Sequence, residues 1–84
     1  MTLAPLSALL LEDSEDDARL ITFELEASGF ELACERATNE AEYRALLAMS
    51  PEIIIADYTL PSFSATEALR VMRELGLDIP FIVV

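Results

Sequence analysis

Ile53-Ile54-Ile55-Ala56-Asp57-Tyr58-Thr59-Leu60-Pro61 is the stretch that decides the fold: an apolar, β-branched run, one carboxylate, then a turn. Three consecutive isoleucines without an alternating polar residue predict a strand covered on both faces, as in a parallel sheet with helices above and below. Asp57 then stands at the C-terminal end of a central strand. In open α/β sheets the loops splay apart at that edge and form the crevice where ligands bind. A carboxylate there is a candidate for chemistry rather than solubility.

Leu9-Leu10-Leu11-Glu12-Asp13 is a second apolar run ending in acid. If it forms the neighbouring parallel strand, Glu12 and Asp13 emerge beside Asp57. Carboxylates gathered so closely repel one another, which favours either a raised pKa or a bound cation. An all-oxygen donor set without imidazole suits Mg²⁺ or a similar hard ion. Either acid alone is better explained as a cap on a strand or helix. Two acid-tipped apolar strands with a helix between them favour a site.

Composition narrows the function. The 84 residues are at most one domain, and a small one, able to bury about 60–65% of its unfolded surface. Sixteen acids against five bases give a net charge of −11, and all five bases are arginine. Nucleic acid and anionic membranes repel such a chain. With no histidine in the sequence, any phosphohistidine in its chemistry belongs to a partner. The single cysteine, Cys34, allows no internal disulfide and reads as a core residue of an apolar strand. Leu3 to Leu11 lacks the basic flank of a signal peptide and runs straight into acids, so a cytoplasmic location is expected. No apolar stretch approaches the ~20 residues that span a bilayer.

In chain order, the first strand is expected over Leu6 to Glu12, after an exposed lead-in containing Pro5. Ser14 caps a helix running to about Ser28, with Glu15, Asp16 and Asp17 in its first turn and Gly29 just past its end. Ala18, Ile21 and Leu25, with Leu20 beside them, form its apolar stripe. Phe30 to Glu35 alternates like an edge strand. A second helix follows from about Asn39 to Met49, with Thr38 or Asn39 capping and Tyr43, Leu46 and Leu47 inward, and Ser50-Pro51 ends it. Ser64-Ala65-Thr66-Glu67 has capping-box spacing for a third helix that packs Leu69, Met72 and Leu75 and stops at Gly76. Ile79 to Val84 is the fourth strand, with Pro80 near its start. The β-α-β-α-β-α-β alternation implies right-handed crossovers in a parallel sheet, and order 2-1-3-4 sets the two acid-tipped strands side by side. That is the doubly wound, flavodoxin-like α/β arrangement.

Across its whole length the chain resembles the receiver domain of bacterial two-component response regulators. The resemblance rests on Leu10-Leu11-Glu12-Asp13-Ser14-Glu15-Asp16-Asp17-Ala18, on Ala56-Asp57-Tyr58-Thr59-Leu60-Pro61, and on the Gly29-Phe30 link. It implies a phosphoacceptor in a phosphorelay rather than an enzyme, with Asp57 taking a phosphoryl group from a partner histidine kinase or phosphotransfer protein. It further implies Mg²⁺ held by Asp13, Asp57 and the backbone carbonyl of Thr59, with Glu12 close by. The family usually has glycine where Ala65 stands, and it continues past strand four with a Ser or Thr, a Lys and a final helix. The resemblance therefore makes residues 1–84 the N-terminal part of a receiver domain lacking its fifth strand and last helices. The fourth strand would then be an open apolar edge, and self-association through it is expected. Two other readings stand beside this one: a receiver-like interaction module that is not phosphorylated, and a Mg²⁺-dependent phosphohydrolase with an aspartate nucleophile. The second Asp such hydrolases carry two residues on is Thr59 here.

Overall fold

In the computed structural model, which describes residues 4–58, 60 and 63–84, the apolar runs line up as one parallel sheet. Its strands are β1 (Ala4–Leu11), β2 (Phe30–Ala37), β3 (Ile53–Ala56) and β4 (Phe81–Val83), in the order β2-β1-β3-β4. Helices α1 (Glu15–Ala27), α2 (Glu40–Leu47) and α3 (Ala65–Glu74) connect them. This is the flavodoxin-like arrangement expected from the alternation, with β2 at an edge and the two acid-tipped strands adjacent.

The pleat divides the core. Leu9 and Leu11 of β1 and Ile54 and Ala56 of β3 face one side, where they pack with Tyr43 and Leu47 of α2 and Ala68, Val71 and Met72 of α3. Leu10 and Ile55 face the other side and meet Ala18 of α1, with Ile21, Leu25 and the half-buried Cys34 around them. The Tyr43 ring is fully buried against Phe63, with centroids 5.4 Å apart, and its hydroxyl donates to the Ala68 carbonyl at 2.8 Å. Burial pushes that phenol up to about 12. A polar group so deep needs a partner, and this one ties α2 to α3.

Helix starts follow the sequence signals. Ser14 Oγ accepts from the Asp17 N–H, Asn39 Oδ1 from the Glu42 N–H, and Ser64 Oγ from the Glu67 N–H. At α2 the Glu42 carboxylate accepts in return from the Thr38 hydroxyl and N–H, and these two bonds hold its pKa low.

Several expectations are corrected. β1 begins at Ala4, so Pro5 lies within it; β3 pairs only from Ala8 onward, leaving the Pro5 position on a stretch that pairs with β2 alone. β1 ends at Leu11 rather than Glu12, although the Glu12 N–H still donates to the Ala37 carbonyl, and β2 runs on to Ala37. α2 closes at Leu47, short of Met49, because Met49 and Ser50 donate to carbonyls three residues back and Ser50, before Pro51, turns to φ +54°. Leu20 is 63% exposed and joins the apolar stripe of α1 only at its rim.

Leu75 is half exposed, and Leu77 packs against the core instead. The cause is the helix ending: Gly76 at φ +73° donates to the Arg73 carbonyl and Leu77 to that of Met72, the two bonds of a Schellman motif, which turn the chain so that the residue after the glycine points inward. The fourth strand narrows to Phe81–Val83, with Ile79 and Pro80 leading in. Among the described residues no helix is long and apolar enough to cross a membrane.

Candidate functional site

The site is built by strand register. Leu11 of β1 lies opposite Ala37 of β2 and Ala56 of β3, so the next residues, Glu12 and Asp57, leave the sheet side by side. Backbone bonds extend the ladder one step beyond the strands: the Asp57 N–H donates to the Leu11 carbonyl at 2.9 Å and the Glu12 N–H to the Ala37 carbonyl at 3.1 Å. Leu60 and Phe63, both buried, anchor the chain that follows Asp57 into the larger core. Glu12 and Asp57 are thus held by backbone hydrogen bonds one residue past the strand ends.

Glu12, Asp13 and Asp57 each direct a carboxylate oxygen into one small volume, with the three oxygens all within 4.8 Å of one another. Their settings differ. Glu12 is 2% exposed, Asp57 half-buried and Asp13 exposed. The Ser14 N–H donates to Glu12 Oε1 at 3.0 Å, which fixes that side chain against the start of α1.

Burial raises the Glu12 pKa above its usual 4.5. The Ser14 N–H works against this, while hydrogen bonds with Asp13 and Asp57 and the Asp57 charge add to the rise. Three acids with converging oxygens, one of them desolvated, form a donor set suited to a hard cation. Glu15, Asp16 and Asp17, by contrast, lie exposed in the first turn of α1, where the helix dipole favours them.

Thr59, expected to offer its carbonyl, lies outside the described residues, as does Pro61 of the same motif. Ala65 is the first residue of α3 and is buried, and among the described non-glycine residues only Ser50 has a positive φ. Alanine therefore meets no backbone strain at this position. One residue at the site carried no signal in the sequence: Arg36 of β2, whose Nη1 donates to the backbone carbonyls of Glu12 at 3.4 Å and Asp13 at 3.2 Å.

No family model matches the chain. It is similar to the phosphate regulon transcriptional regulatory protein PhoB of Rhizobium meliloti (strain 1021), with 37% identity over 65 residues. The match covers 77% of this chain and 28% of that protein, so it spans under a third of the relative's length. Together with the parallel 2-1-3-4 sheet, this likeness supports a receiver-like domain.

Proposed function

We propose that the chain is a phosphoacceptor module of a two-component system, in which Asp57 takes a phosphoryl group from a phosphohistidine on a partner kinase or phosphotransfer protein. The observation that carries the reading is the convergence of Glu12, Asp13 and Asp57 at the adjoining C-terminal ends of β1 and β3. An oxygen of Asp57 attacks phosphorus, the P–N bond to the donor imidazole breaks, and the imidazole recovers a proton from water. Little covalent chemistry is asked of the protein; positioning and charge neutralisation carry the step.

The donor set fits Mg²⁺: Asp13 and Asp57 would hold it, with Glu12 beside them and, on the resemblance alone, the carbonyl of Thr59. Bound there, the ion supplies the positive charge that offsets the phosphoryl oxygens. The chain signals rather than turning over a substrate, and its kinase partner places it in the cytoplasm.

Phosphoryl transfer from a phosphohistidine donor tests the proposal. Label passes to the protein in the presence of Mg²⁺, stops with chelator, and is absent in Asp57→Asn. A folded Asp57→Asn protein that takes up label as fast as the unaltered one would remove Asp57 from its role. Absence of uptake by the unaltered protein would favour an interaction module.

A further inference from the structure

Arg36 differs from the other four arginines. Arg19, Arg44, Arg70 and Arg73 lie on helices, and the first three pair with glutamates four residues away on the same helix. Arg36 lies in β2, opposite Leu10, and extends past the end of β1 to place Nη1 on the carbonyls of Glu12 and Asp13. Those two residues carry two of the three clustered carboxylates.

The choice of acceptor matters. A guanidinium on the carboxylates would compete with a cation for their oxygens. On the carbonyls it fixes the backbone and leaves the carboxylate oxygens to converge on Asp57. With the Glu12 N–H bonded to Ala37 and the Ser14 N–H bonded to Glu12 Oε1, the turn between β1 and α1 is held on its main-chain and side-chain sides.

We propose that Arg36 is a positioning residue for the acidic cluster, tying the Glu12-Asp13 backbone to the edge strand so that both carboxylates face Asp57. Its functional consequence rests on reading the cluster as a cation site. Positioning and charge predict opposite signs. Removing a positive charge beside a cation site strengthens cation binding if charge is all the residue contributes; loosening the ligands weakens it.

The test compares the unaltered protein with Arg36→Gln and Arg36→Lys in Mg²⁺ titrations, and in amide hydrogen exchange without Mg²⁺. Arg36→Gln is expected to bind Mg²⁺ roughly threefold to tenfold more weakly, the range of one or two lost hydrogen bonds that orient ligands. Exchange at the Asp13 and Ser14 amides speeds up, while that in α3 is unchanged. Arg36→Lys, which keeps the charge, shows a smaller loss in the same direction, and decides the matter if Arg36→Gln does not fold. Tighter Mg²⁺ binding in Arg36→Gln, or unchanged affinity and exchange in both variants, overturns the proposal. If the unaltered protein binds no Mg²⁺, the cation reading fails, and the exchange rates alone still show whether Arg36 holds the turn.

Discussion

Glu12 shows how one residue serves both the sheet and the acidic cluster. Its backbone continues the β1–β2 ladder while its carboxylate sits buried between Ser14 and the two aspartates. Because its pKa is raised in the folded chain, the native state keeps a proton that the unfolded chain gives up near pH 4.5. Stability from this residue is therefore greatest at low pH and falls as pH rises from 4.5 through the folded pKa. Glu12→Gln cannot ionise and still accepts from Ser14. Urea denaturation at pH 4 and pH 7 should show the unaltered chain losing more stability between the two than Glu12→Gln; parallel losses would mean the carboxylate is not penalised by its burial. That Glu12, Asp13 and Asp57 belong together was legible in the sequence, since each follows an apolar run. Arg36 was not, because an arginine on an edge strand reads as a solvated residue until the register shows which turn it reaches.

Elements were legible where a local signal fixes them. Ser14, Asn39 and Ser64 cap as their side chains dictate, and the alternation in β2 marks an edge. The helix α3 stops at Gly76 as expected, but which leucine packs inward there is decided by geometry beyond the local pattern. Helical spacing points Leu75 inward, but the turn at Gly76 hands that place to Leu77. Leu75→Ala should then change stability by less than ~0.5 kcal/mol, and Leu77→Ala should lower it by about 1–2 kcal/mol, below the range for a fully buried leucine. Gly76→Ala meets no atom within 4 Å, so its loss of about 1 kcal/mol comes from the left-handed backbone alone. Thermal melts of the three variants check the ordering, and a larger loss at Leu75 than at Leu77 would contradict it.

At the scale of the molecule the two sheet faces are unequal. α2 and α3 cover one side deeply, while the buried cluster on the other is small, made of Leu10, Ala18 and Ile55. Leu20, Ile82 and Val84, at 63%, 46% and 58% exposure, line an apolar groove between α1 and β4 with Ile21, Leu25 and Ile55. Apolar surface of this kind draws chains together, so sedimentation of these 84 residues should show association that grows with concentration; a monomer at every concentration would contradict it. The sheet order was legible because two acid-tipped strands make sense only as neighbours, whereas the thinness of the α1 face depends on how Leu20 and β4 sit in three dimensions. The proposed phosphoacceptor role requires Asp57 to be the acceptor among the three converging acids. Phosphorylation with a small acyl phosphate and Mg²⁺, borohydride trapping and mass spectrometry should place the label at residue 57, and a label at Asp13 or Glu12 instead would contradict it.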